Sequence, residues 1–256
     1  MTDRDPAPVP TAVVTGAGTG LGRQSALALA AAGFRVALLG RTAATLEETA
    51  ALVVPPATPP LALPTDVSDL TAVDDAFARV MAQWGRVDVL VNNAGIAGPA
   101  GPLEDVTPAQ WDEVLAVNVT GSFRCAQYAV RIMKTQRPEG GRIINIGSVA
   151  AQRPRPDSVS YAVSKHAMTG LTASIGLEGR SHLISCTQID IGNAASSMTE
   201  SIAAGIGQAD GTSAAEPTFD PVHVGELVAH LAALPVTVSV PQTTILATGM
   251  PFLGRG

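Results

Sequence analysis

The sequence predicts an α/β fold: a single doubly wound domain with a seven-stranded parallel sheet and helices on both faces. Three observations support this prediction. Apolar runs of strand length alternate with longer helical stretches along the chain. Most of these runs are continuously apolar, which is typical of strands buried on both faces. Alanine, valine, leucine and glycine dominate a composition that is 46% hydrophobic and 15% charged, as expected where helices pack closely on a parallel sheet.

The predicted elements follow one another in a regular order. The predicted strands cover residues 11–15, 35–39, 61–63, 87–92, 142–146, 183–189 and 243–247. The predicted helices cover residues 20–32, 43–53, 70–84, 108–135, 158–178 and 222–233. Because each helix falls between two strands, right-handed crossovers join parallel neighbours. We therefore expect one domain, residues 11–256, after a flexible N-terminal segment, residues 1–10.

One segment, residues 194–221, interrupts this order. It is rich in Ala, Gly, Ser and Thr and contains no clear strand. It follows the sixth predicted strand at the sheet edge where ligands bind in such folds. Long irregular stretches inside compact domains are usually lids or disordered segments. We interpret residues 194–221 as a substrate lid.

The composition excludes several classes of function. The formal net charge is −6 and there is no basic patch, so neither nucleic acid nor an anionic membrane is an expected partner. No apolar run reaches the roughly 18 residues that span a bilayer, and residues 1–10 lack the apolar core of a signal peptide, so we expect a cytoplasmic protein. Cys125 and Cys186 lack a metal-site spacing; we expect buried, reduced thiols and no metal site.

The first predicted strand runs into a glycine-rich stretch, residues 15–22, with the sequence TGAGTGLG. Glycines at 16, 18, 20 and 22 allow a tight turn and a close approach of a pyrophosphate to the backbone, and the next helix points free N–H groups at it. An ordinary glycine-rich turn between strand and helix is the alternative. The spacing is Gly16-x-x-x-Gly20-x-Gly22 rather than Gly-x-Gly-x-x-Gly.

Further polar signals follow the later strands. They are Asp66-Val67, then Asn92-Asn93-Ala94-Gly95, then Asn118 in the next helix, then Ser148, and finally Tyr161 and Lys165. Tyr161 and Lys165 stand four residues apart, so both lie on one helix face and the ammonium can reach the phenol. A surface Tyr–Lys pair is the alternative interpretation of that spacing alone.

In the order and spacing of these motifs the sequence resembles the short-chain dehydrogenase/reductase family, in its common form of about 250 residues. The resemblance extends from the first strand to the C-terminus. It implies a Rossmann fold, a nicotinamide cofactor, a small-molecule carbonyl or alcohol substrate and a homotetramer or homodimer. By motif match it gives the catalytic roles to Asn118, Ser148, Tyr161 and Lys165.

The implied roles agree with the chemistry of moving a hydride to a ketone, which builds negative charge on the carbonyl oxygen. Tyr161 would be the acid in reduction and the base in oxidation. The nearby Lys165 ammonium would favour the phenolate and also bind the nicotinamide ribose. Ser148 would donate to the substrate oxygen, and Asn118 would hold a water that connects Lys165 to solvent.

The end of the second strand bears on the choice of cofactor. Members of the family that prefer NAD carry an acid there, whereas this chain has Gly40 followed by Arg41 and Thr42. We therefore expect NADP, with NAD as the alternative. The cofactor-binding residues that the resemblance implies are Gly16, Gly18, Thr19, Gly20, Leu21, Gly22, Arg41, Thr42, Asp66, Val67, Asn93, Ala94, Gly95, Tyr161, Lys165, Ala194 and Ser196.

The chain departs from the family after its sixth strand, where the family usually has Pro-Gly and a following Thr. Here Ile191 replaces the proline and Ser196 the threonine. Asp190 precedes this point, and it either caps backbone N–H groups or recognises a cationic or hydroxylated substrate. Arg153 and Arg155, in the loop after Ser148, are expected to be solvated rather than ligands.

The spacing of the catalytic pair also bears on the type of reaction. Enoyl reductases of the family place the lysine seven residues after the tyrosine, and Met168 occupies that position here, which favours carbonyl chemistry over C=C reduction. We expect an NADP(H)-dependent carbonyl reductase or alcohol dehydrogenase. The sequence leaves open an NAD-dependent alcohol or sugar dehydrogenase and a non-catalytic cofactor-sensing protein.

Overall fold

The computed structural model describes residues 8–196, 205–208 and 211–252. Its strands are β1 (Thr11–Thr15), β2 (Arg35–Gly40), β3 (Leu61–Pro64), β4 (Val89–Asn92), β5 (Gly141–Ile146), β6 (Ile184–Ile191), β7 (Ile206–Gly207), β8 (Ser213–Ala214) and β9 (Gln242–Ile245). Its α-helices are α1 (Gly20–Ala31), α2 (Ala43–Ala51), α3 (Leu70–Trp84), α4 (Pro108–Leu115), α5 (Ser122–Thr135), α6 (Val159–Gly179) and α7 (Val222–Ala233).

Seven strands form one parallel sheet in the order β3-β2-β1-β4-β5-β6-β9, which confirms the predicted doubly wound architecture. The strand order reverses between β1 and β4, which lie side by side. In such sheets ligands bind beyond the carboxyl ends of the strands at this reversal. The loops after β1 and β4 therefore form the centre of the candidate site.

Two apolar cores cover the two faces of the sheet. On one face Leu29 of α1 and Val228 of α7 pack against inward-facing residues of β1 and β5. On the other face Phe77 of α3 and Met133 of α5 pack against β4 and β5. The helices approach closely: a Cβ at Gly225 of α7 would lie 2.5 Å from the carbonyl oxygen of Gln24 in α1. This double coverage explains why the strands are continuously apolar.

Local signals fix several helix ends. The Asp69 side chain accepts hydrogen bonds from Thr71 N and Ala72 N at the start of α3, which ends at Gly85 with φ 71°. Thr107 and Gln110 form a capping box before α4, with Pro108 in its first turn.

The structure corrects some predicted boundaries. The predicted helix 108–135 is interrupted by a π-helical turn, Ala116–Gly121. The strand expected from residue 87 begins at Val89, because the Gln136 side chain binds both backbone polar groups of Val87. The sixth strand extends beyond 189 because Asp190 and Ile191 pair with the last strand. That last strand is Gln242–Ile245 rather than 243–247.

The predicted lid lies partly outside the described residues, at 197–204 and 209–210, and so does most of the N-terminal segment, at 1–7. Within the described part, β7 and β8 pair antiparallel. Ala194 forms an isolated bridge with Phe219. This segment thus contains regular pairing that its composition did not predict.

Candidate active site

The glycine-rich loop after β1 uses backbone conformations and close contacts that favour glycine. Gly16 and Gly20 have φ of +64° and +51°. A Cβ at Gly22 would lie only 2.1 Å from the carbonyl oxygen of Gly16. The loop leads directly into α1, with Thr19 as an N-cap whose side chain makes no capping hydrogen bond, and with Leu21 in the first turn. Tight glycine backbone at a helix N-terminus fits a bound pyrophosphate.

The loop after β4 braces the glycine loop from the side. Thr15 Oγ1 accepts hydrogen bonds from the backbone N–H groups of Asn93 at 2.9 Å and Ala94 at 3.0 Å. The Asn93 side chain donates to the carbonyl oxygens of Thr15 at 2.9 Å and Gly16 at 3.2 Å. Asn93 therefore holds the glycine loop, a supporting role that the sequence interpretation, which placed it against the cofactor, did not include.

Arg23 supports the same loop, and the sequence did not single it out. Its Nε donates to the carbonyl oxygen of Gly18 at 3.0 Å and to Thr49 Oγ1 at 3.0 Å. Gly18 packs against α2 so tightly that a Cβ there would lie 2.3 Å from Thr45 Oγ1. The only sequence signal for Arg23 is its place directly after the glycine motif.

Arg41 and Thr42 lie exposed at the end of β2, where the adenosine end of a dinucleotide is expected. Asp66, after β3, accepts hydrogen bonds from Ser68 N at 2.9 Å and Ser68 Oγ at 2.7 Å. Burial acts to raise the pKa of Asp66, but these hydrogen bonds and the charge of Arg41 outweigh it, and the pKa is lowered. The positive charge of Arg41 therefore contributes to the stabilisation of the Asp66 carboxylate.

Asn118 lies in the π-helical turn and is buried. Its Oδ1 accepts from Ile96 N at 2.8 Å, and its Nδ2 donates to Ile96 O at 2.9 Å and Ser164 Oγ at 3.0 Å. The turn packs closely on its neighbours, because a Cβ at Gly121 would lie 2.8 Å from Val67 Cγ2 and one at Gly95 would lie 3.3 Å from Asn118 Oδ1. Asn118 thus joins the loop after β4 to α6.

Ser148 stands two residues beyond β5 and begins a short 3-10 turn, Val149–Ala151. Its Oγ accepts a hydrogen bond from Ala150 N at 3.1 Å. Among the described contacts this hydroxyl donates to no acceptor, so its hydrogen can be donated to a substrate oxygen.

Tyr161 and Lys165 lie on one face of α6, as their spacing predicts. Lys165 Nζ lies 5.6 Å from the centroid of the Tyr161 ring. The same Nζ donates to the carbonyl oxygen of Ile146, at the end of β5, at 2.8 Å. Lys165 is buried while Tyr161 is half-buried. The ammonium therefore lies between the phenol ring and the end of β5, the strand that leads to Ser148.

The segment after β6 approaches the glycine loop. A Cβ at Gly20 would lie 3.9 Å from Ser196 Cβ. Ala194 is buried beside Phe219. Ser196 therefore lies beside the glycine loop, and Ala194 packs beside Phe219 of the predicted lid.

Asp190 is fully buried, and its donors are side-chain amides rather than the expected backbone N–H groups. Its Oδ1 accepts from Gln188 Nε2 at 2.7 Å. Its Oδ2 accepts from Gln152 Nε2 at 2.8 Å and Gln242 Nε2 at 2.7 Å. None of these three glutamines was singled out from the sequence.

Arg155 differs from the expected solvated residue, whereas its neighbour Arg153 is exposed. Arg155 forms a two-pronged ion pair with Glu216, at 2.9 and 2.6 Å. Burial acts to raise the pKa of Glu216, but hydrogen bonds from Arg155, Asn193 and Gln208 and the charge of Arg155 outweigh it and lower the pKa to about 2. The pair joins the loop after Ser148 to the predicted lid.

Neither a metal cluster nor a membrane span occurs in the part of the chain that the structure describes. No three His, Cys, Asp or Glu side chains are grouped closely enough there to hold a metal ion. None of the helices described combines the length and apolar character needed to cross a bilayer.

Known proteins resemble this chain in both sequence and fold. A family model described as short chain dehydrogenase matches residues 10–207. A 3beta-hydroxysteroid dehydrogenase of Mediterraneibacter gnavus is 34% identical over 198 residues, which are 76% of this chain and 69% of that protein. A metagenomic short-chain oxidoreductase in complex with NADP has a TM-score of 0.79 at 28% identity, covering 94% of this chain and 98% of that chain. For acetoin dehydrogenase from Enterobacter cloacae the TM-score is 0.80 at 32% identity, covering 94% and 95%.

Proposed function

The chain belongs to the short-chain dehydrogenase family, and from this premise we propose that it interconverts a ketone and a secondary alcohol with NADP(H). Members of this family are NAD(P)-dependent oxidoreductases that act on CH–OH or C=O groups. The observation that carries the proposal is Lys165, whose ammonium lies 5.6 Å from the Tyr161 ring and 2.8 Å from the carbonyl oxygen of Ile146. This arrangement puts a fixed positive charge beside a half-buried phenol.

The residues of the site have complementary tasks. A bound nicotinamide dinucleotide supplies or accepts the hydride. Tyr161 gives its phenolic proton to the carbonyl oxygen in reduction and takes the hydroxyl proton in oxidation. Lys165 stabilises the phenolate that remains. Ser148 Oγ–H donates to the substrate oxygen, where negative charge grows. Electrostatic stabilisation and proton transfer thus act on the same substrate atom.

Asn118 has a more limited role than its amide suggests. Both polar atoms of its side chain are engaged, by Ile96 and Ser164. A water between Lys165 and solvent would therefore be held by the backbone carbonyl of Asn118, which also accepts from Ser122 Oγ at 2.9 Å. The π-helical turn supports this role because it breaks the regular helical pairing of its carbonyl groups.

The preference for NADP rests on the end of β2. Arg41 is exposed there and can offer a planar fork of donors to a 2′-phosphate. Gly40 provides no carboxylate to accept the ribose hydroxyls of NAD. The neighbouring Asp66 carboxylate would compete for Arg41 in the free protein, although its own hydrogen bonds go to Ser68. NAD with an alcohol or sugar substrate is the alternative.

The test measures cofactor oxidation against a panel of ketones, keto esters and sugars, with NADPH and NADH in parallel. A hydrogen bond to a charged group contributes about 1.5–3 kcal/mol, so Arg41→Ala should weaken NADPH roughly ten- to a hundred-fold and leave NADH nearly unchanged. Gly40→Asp with Arg41→Ala should reverse the preference. The added Cβ would lie 3.1 Å from Leu46 Cδ2, so this buried side chain must shift slightly to accommodate it.

Two results would contradict these assignments separately. Equal affinity of the parent for both cofactors would show that Arg41 is only a surface residue and that the NADP preference is wrong. Absence of turnover with every substrate and both cofactors, despite cofactor binding, would favour a cofactor-sensing protein over an enzyme.

We also propose a homotetramer or homodimer, as the family resemblance implies. Supporting features are the exposed apolar side chains Phe123 on α5 and Leu177 on α6, which are 44% and 66% exposed. The strand β9 also lies at the edge of the sheet with one side unpaired in the described sheet. Light scattering during size-exclusion chromatography tests this, and a monomer mass at micromolar concentration would contradict it.

A further inference from the structure

We infer that Asp190 is a positioning residue: through Gln152 it holds the turn that carries Ser148. This inference deepens the proposed function and rests on it. Asp190 lies in β6, and its carboxylate lies close to both ends of the turn that starts at Ser148 and ends at Gln152. The three glutamine amides around it come from three separate parts of the chain.

The first contact is at the beginning of the turn. Gly147 N donates to the carbonyl oxygen of Ile189 at 2.8 Å, which fixes the backbone directly before Ser148 to β6. A Cβ at Gly147 would lie 2.3 Å from Asp190 Oδ1. The carboxylate therefore packs directly on the backbone that leads into Ser148, and only glycine leaves space for it.

The second contact is at the end of the turn. Gln152 N donates to the carbonyl oxygen of Val149 at 2.9 Å, which closes the 3-10 turn. Gln152 is an exposed residue, yet its side-chain amide reaches inward to Asp190 Oδ2 at 2.8 Å. This hydrogen bond ties the last residue of the turn to β6.

Two further glutamines, Gln188 and Gln242, fix the Asp190 carboxylate. Gln188 Nε2 holds Oδ1 and also donates to Thr169 Oγ1 of α6 at 3.1 Å, while Gln242 Nε2 holds Oδ2 from the start of β9. A carboxylate can only accept, so all three glutamines must present their N–H groups to it. Among the residues described, no salt bridge neutralises Asp190.

A buried carboxylate without a cation is costly, and its three amide hydrogen bonds offset that cost only in part. Its presence beside Ser148 has a physical explanation if the position of Ser148 Oγ limits the rate. A displacement of about 1 Å in a catalytic group can reduce turnover by roughly a hundred-fold. Because Asp190 is fully buried, it acts on Ser148 through Gln152 and Gly147 and does not touch the substrate.

The test uses Gln152→Ala, which removes the connection and leaves Asp190 with two donors. Arg153→Ala is the matched control, because Arg153 is an exposed residue of the same loop whose side chain donates to the backbone carbonyl of Gln152 at 3.1 Å and not to Asp190. The first readout is amide hydrogen exchange of residues 150–152 in the protein without cofactor or substrate. We expect exchange at least about ten-fold faster in Gln152→Ala and unchanged in Arg153→Ala.

The second readout is kinetic. Gln152→Ala should lower kcat by about ten- to a hundred-fold, with KM and cofactor affinity within about two-fold of the parent. The double variant Asp190→Asn with Gln152→Glu reverses the two partners of the hydrogen bond. It should recover most of the lost kcat, because Gln188 can still donate to the oxygen of the new amide at position 190 and Gln242 can rotate its own amide.

The outcomes separate the two proposals. Unchanged exchange at residues 150–152 in Gln152→Ala would overturn the inference, as would faster exchange with an unchanged kcat. A parent protein that binds cofactor but turns over no carbonyl or alcohol would contradict the proposed function, and the exchange measurement would still decide whether Asp190 holds the turn.

Discussion

At the scale of single residues, Tyr161 and Lys165 share one task in the proposed mechanism, and their surroundings differ. Tyr161 is half-buried, so its phenol can meet a substrate. Lys165 is buried and fixed to the carbonyl oxygen of Ile146 at 2.8 Å, so its charge stays beside the phenol ring. A mobile surface lysine could not maintain that position without losing side-chain entropy at each turnover.

Removing the phenolic proton should therefore abolish most of the activity while leaving cofactor binding intact. Tyr161→Phe removes only the hydroxyl, and general acid–base catalysis contributes about 100- to 10,000-fold, so we expect kcat to fall by that factor. Steady-state kinetics and a cofactor titration of the same preparation measure the two effects. Turnover within a few-fold of the parent would show that Tyr161 is not the proton donor.

The two cysteines present a second prediction at this scale. Cys125 and Cys186 are free and buried, as expected from the sequence. Burial raises the pKa of each thiol to about 12, only partly offset by hydrogen bonds. Because the thiolate is the reactive form, the folded protein should not react with a thiol reagent at pH 8, whereas both thiols should react after unfolding. Rapid modification of the folded protein would contradict the structure.

Sequence reasoning at this scale reached the residues that form a local motif and missed those that act through distant partners. Tyr161 and Lys165 stand on one helix turn, so their contact follows from spacing. Gln188 stands two residues before Asp190 on the same strand, but Gln152 and Gln242 are remote in sequence, and only the folded chain brings them to Asp190. The sequence could indicate that Asp190 was unusual but could not identify its donors.

At the scale of structural elements, the ion pair between Arg155 and Glu216 connects the loop after Ser148 to the predicted lid. The two side chains are 15% and 2% exposed, so the pair is shielded from solvent. Glu216 also accepts from Asn193 Nδ2 at 2.8 Å. The predicted lid is thus fastened to the loop after Ser148 in the part that the structure describes.

This pair should make the lid sensitive to acid. The folded-state pKa of Glu216 is about 2, below the usual 4.5, so the stabilisation is complete above about pH 4.5 and is lost as pH falls toward 2. Arg155→Ala leaves a buried carboxylate without its partner and should destabilise the fold by about 3 kcal/mol. It should also raise the Glu216 pKa, because the hydrogen bonds and the charge of Arg155 that lower it are removed.

Carbon-detected NMR titration of the glutamate carboxyls measures the Glu216 pKa, and denaturant unfolding measures stability. Arg153→Ala is the control, because Arg153 is exposed and has no carboxylate partner among the described contacts. The same Glu216 titration in the Arg155 variant as in the parent would show that the ion pair is not formed in solution.

The elements themselves were predicted well where a single local signal determines them. Helix α3 was predicted with the bounds that the structure has, because Asp69 and Gly85 mark its two ends. The π-helical turn Ala116–Gly121 was not predicted. The turn contacts Ile96 and Val67, which are remote in sequence, so these contacts could not be read from the local pattern.

At the scale of the whole molecule, the candidate site lies where the two halves of the sheet meet. The glycine loop follows β1 and the bracing loop follows β4, and these strands are neighbours at the reversal of strand order. The residue groups expected to hold the adenosine, the pyrophosphate and the nicotinamide follow β2, β1 and β5, respectively. A ligand that spans them contacts loops from both halves, so its binding energy adds to the stability of the whole domain.

Cofactor binding should therefore raise the thermal unfolding midpoint in a way that tests the glycine loop. Ligand at 100 times its Kd stabilises by about 2.7 kcal/mol, which for a domain of this size corresponds to a shift of roughly 5–10 °C. Tyr161→Phe should keep the full NADPH-induced shift. Gly22→Ala should lose most of it, because the added Cβ would lie 2.1 Å from the carbonyl oxygen of Gly16 and displace the loop.

Differential scanning fluorimetry of each variant with and without NADPH measures these shifts. Each shift is taken relative to the variant's own unliganded midpoint. An undiminished shift in Gly22→Ala would mean that the cofactor does not bind against this loop, and a lost shift in Tyr161→Phe would mean that the phenol serves binding rather than proton transfer.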